Sequence, residues 1–95
     1  MKATGSITRS VRQLIPTVLT VVETAERLLY YLEAVNNTGG DVALTVYDQA
    51  GLIVIPTQTV SNGKIITYRS DLGTPVTGLS WIASAPGLVG WYAGE

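Results

Sequence analysis

Few side chains in this 95-residue sequence could carry out acid–base or nucleophilic chemistry. The acids are Glu23, Glu26, Glu33, Asp41, Asp48, Asp71 and Glu95, set against six lysines and arginines. Histidine and cysteine are both absent. That removes the usual general base, the commonest metal ligand, a thiol nucleophile and any disulfide staple. Serines are present, but no histidine can complete a triad with them. No two carboxylates form a local pair of the kind that cleaves glycosidic bonds. Asp41 and Asp48 sit at opposite ends of one strand pattern, a poor cage for a metal. Loop carbonyls with Asp71 are a minor calcium alternative. The glycines match neither phosphate-binding signature. The sequence is thus expected to hold no catalytic residue, no cofactor and no metal, and to be a structural or binding protein.

Charge is scarce and unevenly placed. Charged residues make up 14% of the chain, against roughly 25% in an average soluble domain. Between Val42 and Gly63 the only ionised side chain is Asp48, and from Leu72 to Gly94 there is none. The positions expected to face outward there are small or neutral: Ala43, Thr45, Thr57, Thr59, Gly78, Ser80, Ala83 and Ser84. Such a surface loses its water cheaply, because no ion must be desolvated. It suits contact with another protein, so a homo-oligomer or assembly component is expected. The net charge of −1 gives no pull toward nucleic acid, and Lys2, Arg9 and Arg12 are too few to change that. No apolar stretch approaches the roughly 20 residues of a membrane span. Lys2, Arg9 and Arg12 ahead of Leu14–Val22 resemble a leader, but the Thr-rich alternation of Thr17–Val22 fits a strand better.

Large aromatics are the other candidates. Trp81 shares an alternating face with Leu79 and Ala83 and is expected in the core. Trp91 and Tyr92 must face opposite sides of a final strand, so one of them is expected at a partner interface. A sugar platform on Trp91 or Tyr92 is the rival use. Leu14 and Ile15, in a polar lead ending at Pro16, give an extended arm something to bury on a neighbour. Pro56 inside a strand argues for a sheet edge or a bulge. The expected protein-interface residues are therefore Leu14, Ile15, Pro56, Trp91 and Tyr92.

The elements that must position these residues read as β structure. Residues 1–16 are expected as an N-terminal arm, with one helical turn over Ser10–Leu14 as an alternative, and residues 17–95 as the folded domain. Strands are expected at Thr17–Glu23, Arg27–Asn36, Val42–Asp48, Leu52–Val60, Ile65–Arg69, Thr77–Ser84 and Leu88–Ala93. Arg27–Asn36 also contains good helix formers, but the turn-rich Asn36–Asp41 that follows favours a strand. Its two faces are Leu28, Tyr30, Leu32, Ala34 and Leu29, Tyr31, Glu33, Val35. Asn62-Gly63 signals a type I′ hairpin turn, Ser70–Val76 a loop, and Ala85-Pro86-Gly87 a last hairpin. Asn36-Asn37-Thr38 matches the N-glycosylation pattern but reads as a turn. About seven short strands with turns between them suggest an all-β fold, a small antiparallel β-sandwich, Ig-like or jelly-roll-like, with an extended N-terminal arm.

The run Leu44-Thr45-Val46-Tyr47-Asp48-Gln49-Ala50-Gly51, preceded by Val35-Asn36-Asn37-Thr38 and followed by Ser61–Lys64 and Gly78-Leu79-Ser80-Trp81, resembles small all-β virion proteins of tailed bacteriophages. The resemblance spans about Arg27–Ala93. It implies a capsid decoration (cement) protein, a trimer or similar homo-oligomer clamped onto the major capsid protein at the virion surface and made in the host cytoplasm. It implies neither nucleic acid nor membrane as a partner. A neck, tail or fibre-associated module is the alternative within the particle.

Overall fold

A computed structural model describes residues 7–95. The chain is all-β: β1 (Thr8–Arg9), β2 (Gln13–Leu14), β3 (Thr20–Val35), β4 (Val42–Tyr47), β5 (Ile53–Val60), β6 (Ile65–Ala83) and β7 (Val89–Gly94). They form one antiparallel sheet in the order β1-β7-β3-β6-β4-β5, with β2 also on β7.

The long strands β3 and β6 organise it. They pair along their whole length, from Thr20 opposite Trp81 to Val35 opposite Ile65. One end of this ribbon carries β7 beside β3, and the other carries β4 and β5 beside β6. The ribbon bends where its register shifts, after Val21, Glu23 and Leu29. Extra residues in a strand strengthen twist and allow such bends. The sheet thereby folds over on itself: Trp81 on the β4 flank meets Tyr92 on the β7 flank edge to face at 6.0 Å. Between the flanks lies one core of Ile15, Leu29, Leu32, Ala34, Val42, Leu44, Val46, Ile55, Val60, Val76, Leu79, Trp81, Ala83, Leu88 and Tyr92. A sandwich-like core is thus enclosed by one continuous sheet.

The bends explain where pattern reading strayed. Two expected strands, Thr17–Glu23 and Arg27–Asn36, are one bulged strand, and so are Ile65–Arg69 and Thr77–Ser84. Of the expected loop Ser70–Val76, residues 70–73 are the bulge of β6, because Leu29 pairs with Thr74 but Tyr31 already pairs with Arg69, while Pro75 and Val76 pair with Leu28 and Arg27. The bulge throws Leu72 into solvent, 90% exposed. On β3 the extra residue Tyr30 resets the alternation. Leu29 is therefore buried with Leu32 and Ala34, while Tyr31, Glu33 and Val35 face outward.

Among the described residues, β4 and β5 alone form a hairpin between consecutive strands in the main sheet. Its turn is held by Asp48, whose Oδ1 accepts the backbone N–H groups of Ala50 (3.0 Å) and Leu52 (2.9 Å). Ser61–Lys64 does turn the chain, with Lys64 N–H donating to Ser61 O at 3.0 Å. It is not a type I′ hairpin, because within Ser61–Lys64 Gly63 (φ 79°) alone has a positive φ, where type I′ needs one at both central residues; a glycine third in the turn matches type II. The segment carries the chain from the β4 side of the fold to the β3 side. Ala85-Pro86-Gly87 likewise crosses over, since β7 pairs with β3, β1 and β2 rather than β6.

Asn36 anchors the first of these crossings. Fully buried, it donates through Nδ2 to Gly40 O (2.8 Å) and Val60 O (2.7 Å). Its Oδ1 accepts the Thr38 backbone N–H (2.9 Å) and hydroxyl (2.8 Å). The Asn-x-Thr pattern is therefore a buried turn anchor whose amide is already engaged.

The N-terminal segment does not stand apart as an arm. Thr8–Arg9 pairs with Gly94 and Ala93, and Gln13–Leu14 with Gly90 and Val89. Ile15 sits in the core, 1% exposed, and its N–H donates to Leu88 O at 2.8 Å. The boundary expected at residue 16 falls between β2 and β3 of the sheet, and the alternative of a helical turn over Ser10–Leu14 gives way to β2. Residues 1–6 of the expected arm lie outside the described residues.

Candidate functional site

The two outer faces of the folded sheet differ in chemistry. On the β4 flank, cross-strand register aligns Val21, Ser80, Tyr47 and Ile53 in one row. Ile82 pairs with Thr45 in the next row, and the Thr45 and Thr57 hydroxyls share a hydrogen bond of 2.7 Å. Beyond these, Ala43 pairs with Thr59, and the Ser84 hydroxyl accepts the Ala43 N–H at 2.8 Å. No ionised side chain stands among these outward positions. The Thr45 and Thr57 hydroxyls satisfy each other, so covering that pair strands neither. The exceptions to the expected set are Gly78, buried at a bulge with φ 97°, Ala83, which belongs to the core, and Thr45 and Ser80, which this chain already buries.

The β7 flank carries the charge. Its first row is Arg9, Ala93, Tyr31 and Arg69, its second Trp91, Glu33 and Thr67, its third Leu14, Val89, Val35 and Ile65. Tyr31 tilts against Trp91 with ring centroids 4.8 Å apart. The Arg9 guanidinium lies over the Trp91 ring at 5.6 Å and that of Arg69 over Tyr31 at 5.9 Å. Glu33 ties the rings from the side, accepting the Trp91 indole N–H (2.8 Å) and the Tyr31 hydroxyl (3.0 Å). Arg12 approaches the same carboxylate at 4.0 Å. An open cleft of about 520 Å³ runs between Arg9, Tyr31, Trp91, Arg69 and Asp71, floored by Ala93. At its rim the Tyr30 phenol is held above its ordinary value of 10.0 by desolvation, then by the neighbouring Glu95 carboxylate.

The five residues expected at an interface are thus scattered. Leu14 is exposed on the β7 flank and Pro56 on the edge strand β5, at the register shift that a strand proline calls for. Trp91 is half-buried in the aromatic cluster. Ile15 and Tyr92 are core residues of this chain, which removes them from any interface with a neighbour. Tyr92 donates its hydroxyl to Val22 O at 3.1 Å and to Glu23 Oε1 at 3.4 Å. Desolvation and, after it, the Glu23 charge raise its phenol above 10.0. Sequence reading missed Arg9, Tyr31 and Arg69 as a group. Alternation did place Tyr31 with Glu33 on one face, but only the pairing of β1 and β6 around them brings the arginines in.

Among the described residues, no group of three or more acids lies placed to hold a metal ion, and no helix is long and apolar enough to cross a membrane. No protein-family model, curated protein or solved structure matches the chain.

Proposed function

We propose that this protein is a non-enzymatic assembly component that works as a homo-oligomer and binds the outside of a larger protein shell. In its most concrete form it is a capsid decoration protein on the major capsid protein of a phage particle, as the sequence resemblance implies. The observation that supports the reading is the uncharged outer face of β6, β4 and β5, on which Thr45 and Thr57 satisfy each other's hydroxyls. Burying such a face against protein releases water without stranding ions. A bound decoration protein stabilises the assembled state by mass action, since it favours the shell over free subunits.

The test measures thermal disruption of purified shells with and without the protein. Added protein is expected to raise the transition temperature. The paired substitution Ile53→Lys and Thr59→Lys places two cations on the neutral face at exposed positions and is expected to abolish the rise. A rise unaffected by both lysines contradicts the reading.

A further inference from the structure

We propose that the open edge of β6 over Ile65–Arg69 pairs antiparallel with the same edge of a second copy of this chain. The inference rests on the homo-oligomer reading above and names the strand through which two copies meet.

Among the described residues, strand edges lack a partner at four places, and three of these are blunted. β1 and β2 are two residues each. β5 carries Pro56 and two register shifts. The first half of β3 shifts register at Val21 and Glu23 and carries Glu23, Glu26 and Arg27. Short strands, prolines, bulges and charges are the devices that keep edges from pairing. The fourth edge is the side of Ile65–Arg69 away from β3, since β6 pairs with β4 only from Ser80 to Ala83. Ile65–Tyr68 holds neither proline nor charge, and its register with β3 is unbroken from Ile65 to Arg69.

The ladder fixes which groups face outward. Asn36 N–H donates to Lys64 O at 3.0 Å. Ile66 and Tyr68 therefore bond to β3, and the N–H and C=O groups of Ile65, Thr67 and Arg69 point away from it. Those groups call for another backbone, and the segment is complementary to itself. With Thr67 on a two-fold axis, it meets the second copy's Thr67, and Ile65 meets the second copy's Arg69. Each such pair exchanges two backbone hydrogen bonds, which uses all the outward groups of both segments.

The side chains agree with that register. Ile66 and Tyr68 line an apolar groove of about 250 Å³ together with Leu32, Val54 and Pro56. The incoming segment sets its own Tyr68 and Ile66 opposite Ile66 and Tyr68, beside this groove, and its Thr67 and Arg69 on the outer face. Lys64 and Asp71 form no ion pair among the described residues and stand just beyond opposite ends of Ile65–Tyr68. The register brings Lys64 opposite the second copy's Ser70, next to its Asp71. Of the other charges at these ends, Asp41 accepts the Asn62 N–H at 3.2 Å, and the Arg69 guanidinium lies over Tyr31 at 5.9 Å. The two copies of Arg69 are held at opposite ends of the paired strands. Five residues a side fall short of the roughly 20–30 of a standard interface. The edge therefore acts alongside the neutral face, and alone it joins two copies only in concentrated solution.

Introduced cysteines read this register, because the chain has none of its own. Paired Thr67 Cα atoms would stand about 5.5 Å apart, inside the roughly 4.4–6.8 Å that a disulfide spans. In concentrated solution with oxidised glutathione, Thr67→Cys is expected to form disulfide dimers at least tenfold faster than Ala50→Cys, on the exposed β4–β5 turn. A mixture of Ile65→Cys and Arg69→Cys chains is expected to give the mixed dimer at least tenfold faster than either chain alone, because identical positions lie about 15 Å apart. All four positions are exposed, and circular dichroism of the reduced chains checks folding. Both results are expected to persist in the Ile53→Lys, Thr59→Lys background, so failure of the neutral face leaves this test standing. Thr67→Cys that dimerises no faster than Ala50→Cys, or Ile65→Cys that pairs with itself as readily as with Arg69→Cys, overturns the proposal whatever the shell test shows.

Discussion

Replacing Asn36 by alanine removes one side chain that ties the turn after β3 to the end of β5. Asn36 makes four side-chain hydrogen bonds, to Gly40 O, Val60 O, and the N–H and hydroxyl of Thr38. A net worth of about 1 kcal/mol for each gives about 4 kcal/mol. The Val60 carbonyl, bonded to a fully buried donor, is left without it, which adds about 1 kcal/mol or more. The expected loss is therefore about 4–5 kcal/mol. A chain of 95 residues has a total stability of about 5–14 kcal/mol, so the variant sits near the limit of folding. Urea unfolding followed by tryptophan fluorescence measures the difference. With a slope of about 2 kcal/mol per molar urea, the midpoint is expected to fall by roughly 2 M. Two companions separate the bonds. Thr38→Val removes only the hydroxyl contacts and should cost about 1 kcal/mol. Asn36→Asp turns a donor toward two carbonyls into an acceptor and should cost at least as much as alanine. A loss under about 1 kcal/mol for Asn36→Ala would refute the view that this amide ties the fold together.

Other outcomes follow from the same packing. Ile15→Ala is expected to cost about 2–5 kcal/mol by chemical denaturation, the usual range for emptying a core site, and deleting residues 1–16 should destabilise the whole fold rather than free an appendage. Gly78→Ala combines a φ of 97° with a Cβ that would stand 2.6 Å from Glu23 O; strain and clash together should lower stability by about 2 kcal/mol or more, visible as a reduced melting temperature. The raised phenol of Tyr92 gives a pH signature: its neutral form is favoured in the fold, so its contribution is complete below the unfolded value of about 10 and is lost as pH climbs from there through the folded value. Melting temperature measured from pH 8 to 11 should fall more steeply above pH 10 in the parent than in Tyr92→Phe.

Much of the fold was legible because alternation is a local signal. Val42, Leu44 and Val46 alternate with Ala43, Thr45 and Tyr47, and the structure buries the first set inward. Pro56 marked an edge strand and a bulge, as a residue without an N–H must. What alternation could not show is how strands join. Asn62-Gly63 and Ala85-Pro86-Gly87 look like hairpin turns, yet each crosses the fold, because partner choice depends on where β3 and β6 bend. The phase of β3 was lost at Tyr30 for the same reason: an inserted residue shifts every face after it. The polar lead was read as an arm because Leu14 and Ile15 were assigned to a neighbour's surface; Ile15 is instead buried in its own chain, in one core with Leu88 and Trp81 far along the sequence. The neutral face was legible from composition, since missing charge does not depend on topology. The arginine–aromatic cluster was not, as Arg9, Tyr31, Arg69 and Trp91 come from four strands.

The claim on which the functional account turns is that the uncharged outer face of β4, β5 and β6 is a protein contact rather than a solvent surface. Light scattering coupled to size-exclusion chromatography, run across a range of concentrations, tests it most directly. The account predicts a mass that is a multiple of the 10.1 kDa chain and that falls toward one chain in the Ile53→Lys, Thr59→Lys variant. A 10.1 kDa particle at every concentration, or a multimer indifferent to both lysines, would contradict it.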